Sequence, residues 1–73
     1  MNAYTVVYFK DTEECGRDTY KPGVTVKEIV EELTYEINRY HKHYDYITIF
    51  NEEYISYFKV VNDEGKYKII ELV

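Results

Sequence analysis

At 73 residues, with 14 acidic against 9 basic side chains and a net charge of −5, the chain has material for one small core and no second domain. The acidic balance disfavours, in the mean, a surface that grips nucleic-acid phosphates or anionic lipid, and favours basic partners. One cysteine, Cys15, allows no internal disulfide, and no stretch approaches the ~18 uninterrupted apolar residues of a membrane span or a leader's apolar run, so a soluble cytoplasmic protein is expected.

Tyr4-Thr5-Val6-Val7-Tyr8-Phe9 is β-branched and aromatic with apolar groups on both sides, the pattern of a strand inside a sheet. Lys10 to Asp18 is charged and contains Gly16, which predicts a turn or short loop, with Arg17 to Lys21 returning as a short strand before Pro22-Gly23. Thr25 and Glu28 form a capping box, and Val24 with Ile29 a hydrophobic staple, so a helix begins here. Val26, Ile29, Val30, Leu33, Ile37 and Tyr40 then recur at steps of three and four, predicting one apolar stripe to about His41.

Beyond the helix the period changes to two. Tyr46 to Phe50, Tyr54 to Val61 and Lys66 to Val73 read as three strands, and Asn62-Asp63-Glu64-Gly65 reads as a hairpin turn with Gly65 at positive φ. The expected order is β(β)αβββ, an α+β domain with one amphipathic helix on one face of a sheet.

The stretch Tyr20-Lys21-Pro22-Gly23-Val24-Thr25-Val26-Lys27-Glu28-Ile29-Val30-Glu31-Glu32-Leu33 resembles the strand-to-helix junction of ubiquitin-like β-grasp proteins, notably the bacterial sulfur carriers. Asp63-Glu64-Gly65-Lys66-Tyr67-Lys68-Ile69-Ile70 resembles their last turn and strand. The resemblance implies a mixed sheet with the first strand beside and parallel to the last. The alternative is an antiparallel sheet of three or four strands. The sulfur carriers are activated at a carboxyl-terminal Gly-Gly, which Glu71-Leu72-Val73 does not match, so carrier chemistry does not follow.

One helix covers one sheet face, and the other must meet water or a partner. With Val7, Ile47, Ile49, Ile70 and Leu72 directed at the helix, alternation sends Tyr4, Val6, Tyr8, Tyr46, Phe50, Tyr67 and Ile69 to the opposite face. Four of the ten tyrosines and one of the three phenylalanines make that face aromatic, which predicts a protein-binding surface for self-association, as a homodimer, or for a protein partner. Glu28, Glu31, Glu32 and Glu36 form an acidic helix face, and the alternative function is an acidic inhibitor from a phage or mobile element that mimics nucleic acid before a basic protein.

No residues read as catalytic, cofactor-binding or metal-ligating. His41, His43 and Asp45 lack the paired short spacing of a zinc site, and Asp11, Glu13, Glu14 and Asp18 lack the spacing of a calcium loop. Cys15 stands among carboxylates that disfavour its thiolate. Gly-rich phosphate loops and nucleophile motifs are absent, and no small-molecule substrate is implied.

Overall fold

The computed structural model describes residues 3–72. Its elements run β1 (Thr5–Lys10), β2 (Glu13–Thr19), α1 (Val26–Tyr40), β3 (Tyr46–Phe50), β4 (Ile55–Asp63) and β5 (Lys66–Leu72). The five strands form one sheet in the order β2-β1-β3-β4-β5, and every pairing is antiparallel. The α+β class with one helix on a sheet is the architecture of the protein. The mixed sheet is not: β3 and β4 separate β1 from β5, which runs along an edge. Cross-strand matching accounts for this, since β3 sets Ile49 against Val6 and Ile47 against Tyr8 and so continues one buried apolar row after another.

The first loop of the sequence reading is also replaced. Residues 13–19 form a complete edge strand, joined to β1 by the two-residue turn Asp11-Thr12, both at positive φ (52° and 68°). That is the twist a tight hairpin requires, adopted here without the usual glycine. The return strand expected at Arg17 to Lys21 overlaps only its last three residues, because an edge strand with no apolar face needs none of the period-two pattern. The second hairpin keeps its expected chemistry: Glu64 and Gly65 take positive φ, and the Asn62 side chain accepts from the Gly65 N–H at 2.8 Å.

Helix α1 begins as the capping box predicts. The Thr25 hydroxyl accepts from the Glu28 N–H at 3.1 Å, and the Glu28 carboxylate accepts from the Thr25 N–H at 3.1 Å. His41 ends the helix in the left-handed conformation. Ile29, Leu33 and Ile37 are buried against Val6, Tyr8, Ile47, Ile49 and Phe58, with Val24, Val26 and Val30 at the margin. Tyr40, expected on the same stripe, is exposed.

The helix lies diagonally. Its first residues stand near Tyr4 and Asn51, at one end of β1 and β3. Near its other end, Asn38 clasps the backbone of Tyr67 in β5, accepting from its N–H at 2.8 Å and donating to its carbonyl at 3.0 Å. No described buried side-chain nitrogen or oxygen lacks a hydrogen-bond partner.

Two outcomes follow from this packing. Leu33→Ala removes a side chain from the centre of the helix–sheet contact and should cost about 2–5 kcal/mol in urea unfolding. Thr12→Gly relieves a β-branched residue at positive φ and, net of unfolded-chain entropy, should raise stability by about 0.5–1 kcal/mol in the same titration.

Candidate surface on the uncovered sheet face

In an antiparallel sheet, directly opposed residues share a face. The row Val7, Thr48, Tyr57 and Leu72 therefore lies away from the helix, as does the row Phe9, Tyr46, Lys59 and Ile70. Thr5, Phe50 and Ile55 form a third row. Among the described residues seven large apolar side chains are exposed; Tyr35 and Tyr40 lie on the helix, and Tyr46, Ile55, Tyr57, Ile70 and Leu72, between 41% and 58% exposed, all belong to this face. Their clustering marks a patch, which scattered exposed apolar residues would not.

Of the seven residues expected on this face, Tyr46 and Phe50 lie there. Tyr4, Val6, Tyr8, Tyr67 and Ile69 instead pack on the helix side, and Val7, Ile70 and Leu72 exchange places with them. The phase expected for β1 and β5 is thus one residue out, whereas Ile47 and Ile49 of β3 do face the helix. Alternation alone cannot decide a strand that is apolar on both sides; pairing with β3 and β4 decides it. Ile55, Tyr57, Ile70, Leu72 and Phe9 were missed as surface residues for that reason.

The aromatic excess is also distributed differently. Tyr4, Tyr8, Tyr20, Tyr44 and Tyr67 surround the helix-side core. Tyr8 stacks on Tyr44 with centroids 4.6 Å apart and donates to Asp18 at 2.7 Å, and Tyr4 meets Tyr54 edge-on at 5.7 Å. These rings extend a core that three helix residues alone would fill thinly. The uncovered face mixes aromatic with aliphatic groups around a shallow depression of about 300 Å³ lined by Phe9, Tyr46, Thr48, Tyr57 and Leu72.

Charge divides between the two sides. Lys59 stands between Tyr46 and Ile70 on the uncovered face. At the sheet's two margins Arg17 pairs with Glu14 and Lys68 with Asp63, each at 2.8 Å. The bidentate Arg17 guanidinium holds the Glu14 carboxyl below its ordinary range. On the helix side Glu28, Glu31 and Glu32 are exposed and Glu36 is half-buried. Desolvation and a shared hydrogen bond with Glu36 raise the Glu32 carboxyl.

The residues that suggested chemistry have local partners. The Asp45 carboxylate accepts from the Asp11 N–H at 2.7 Å, and His43 Nδ1 lies 3.3 Å from the Tyr67 hydroxyl. Cys15 occupies the bulge of β2, its thiol directed at the Tyr8 carbonyl at 3.5 Å. No three His, Cys, Asp or Glu side chains gather into a metal-sized group among the described residues, and no described helix is long and apolar enough to cross a membrane. No family model, curated protein or solved structure matches the chain.

The helix-side tyrosines give the fold an alkaline limit. Burial pushes the Tyr20 phenol up to about 12, assisted by Glu32, Glu36 and Asp18, and burial followed by the Asp18 hydrogen bond raises Tyr8 further. A phenol raised in the folded state favours folding while the unfolded phenol is still protonated, and that contribution disappears as pH rises through the folded value. Stability measured by urea titration should hold to about pH 10 and fall between about pH 10 and 12. Tyr20→Phe should flatten that fall.

Proposed function

We propose that this protein is a noncatalytic binding module that docks another protein, or a copy of itself, on the uncovered face of its sheet, and that it acts in the cytoplasm. The observation that carries the reading is the contiguous set Tyr46, Ile55, Tyr57, Ile70 and Leu72, large apolar side chains left in water by a fold whose helix α1 occupies the other side. A small domain gains stability from every apolar group it hides, so so many exposed together point to a second surface that hides them. Lys59, between Tyr46 and Ile70 on this face, with the helix carboxylates on the opposite side, suits a partner that brings apolar groups flanked by acid. The free Cys15 accords with a reducing compartment.

The test uses 1-anilinonaphthalene-8-sulfonate as an apolar probe on the folded protein, at low and high salt. The dye should bind at both salts, because burial of apolar surface is indifferent to added salt or strengthened by it. Tyr57→Glu with Leu72→Glu should abolish binding while the unfolding midpoint changes little. A folded protein that binds no dye would overturn the reading. If partner binding then proved to weaken steeply with salt and to require Glu28, Glu31 and Glu32, the acidic-inhibitor alternative would replace it.

A further inference from the structure

The two edges of the sheet are built differently. Edge strand β2 carries Glu13, Glu14, Arg17 and Asp18 and is broken by a bulge at Cys15, devices that discourage another strand from pairing with it. On β5, Asn38 occupies the outward N–H and carbonyl of Tyr67 as a neighbouring strand would. Backbone groups reverse direction at each residue, so Ile69 and Glu71 present their N–H and carbonyl outward as well. Among the described residues no hydrogen bond meets the outward groups of Ile69 and Glu71. The segment Ile69-Ile70-Glu71-Leu72 is regularly paired to β4 on its other side, with neither bulge nor proline.

We propose that β5 pairs antiparallel with β5 of a second copy about a two-fold axis, joining two sheets edge to edge. This deepens the reading of the protein as a binding module, but it stands on the strand edge and not on the uncovered face. The occupant follows from the hydrogen-bonding groups: outward N–H and carbonyl at every second residue match an extended backbone, and a two-fold makes the edge its own complement.

The register follows from the same residues. Centring the axis on Ile69 would set Glu71 of one copy against the Tyr67 groups that Asn38 already holds. Centring it on Glu71 would oppose two like carboxylates. Centring it on Ile70 sets Ile69 against Glu71 in both directions, each pair exchanging both backbone bonds. Ile70 then meets its own copy on the uncovered face, and Leu72 meets Lys68. The two uncovered faces become one continuous surface. The flank of the helix with Val30, Thr34 and Tyr35, which borders a groove of about 770 Å³, turns toward the same flank of the second copy.

Self-opposed residues report this register directly. In a non-hydrogen-bonded antiparallel pair the two Ile70 Cα atoms lie about 4.5 Å apart, inside the roughly 4.4–6.8 Å range of disulfides. With Cys15→Ser to remove the native thiol, Ile70→Cys should form a disulfide dimer under copper–phenanthroline and air, and Leu72→Cys, opposed to Lys68, should not. Sedimentation equilibrium of the unmodified protein up to about 1 mM should show a monomer–dimer equilibrium, the range expected of an interface below standard size. Glu71→Pro, which deletes an outward N–H from both copies, should weaken association about tenfold or more. Glu71→Ala, which loses the same side chain and its bond to Ser56 but keeps the N–H, should dimerise like the parent.

A strict monomer over that range would overturn the proposal, as would equal crosslinking of the two cysteine variants. A dimer abolished by Tyr57→Glu and untouched by Glu71→Pro would overturn it while supporting the uncovered face as the interface. A folded parent protein that binds no dye, with the Ile70→Cys disulfide still formed, would do the reverse.

Discussion

The structure depends on one contact: the stripe Ile29, Leu33 and Ile37 of α1 against Val6, Ile47, Ile49 and Phe58 of the sheet. A chain of this length can hide only about 60% of the surface it exposes when unfolded, so it forms one apolar layer between helix and sheet and has nothing left for a second. The tyrosines at the margin widen that layer, and the Tyr8–Asp18 bond and the Asn38–Tyr67 clasp satisfy polar groups where it meets water. The uncovered face and the open half of β5 are the remainder of this geometry. Both follow from a short helix crossing a sheet wider than itself.

What could be read from the residues was local. Thr25 and Glu28 announce the helix start, Val24 and Ile29 its entry angle, and Gly65 the last hairpin, because each requires a particular residue at a particular offset. The strand β2 was legible only at its end, from Arg17 to Thr19, for the opposite reason. An exposed edge needs no apolar face, and its turn at Asp11-Thr12 takes positive φ without glycine. The implied parallel pairing of β1 with the last strand also failed, since doubly apolar pairs such as Val6-Val7 mark a strand between two neighbours but do not say which neighbours.

The candidate surface was legible as a consequence and not as a residue set. That one face must be uncovered follows from counting one helix. Which side chains it shows depends on cross-strand register, a long-range property that Val6-Val7 and Ile69-Ile70 leave ambiguous by one residue. The same slip moved the aromatic emphasis: most tyrosines serve the core margin, and the surface is a mixture of tyrosine, isoleucine and leucine around Lys59. Acidic groups on the helix and a lysine within the apolar face give the molecule two chemically distinct sides.

Face assignment is the central claim, and isoleucine methyl relaxation by a soluble gadolinium chelate tests it most directly. Selectively labelled Ile55 and Ile70 methyls should relax strongly, while those of Ile29, Ile37, Ile47 and Ile49 remain shielded. Shielding of Ile70 together with strong relaxation of Ile69 would place β5 with its other side toward the helix and contradict the account.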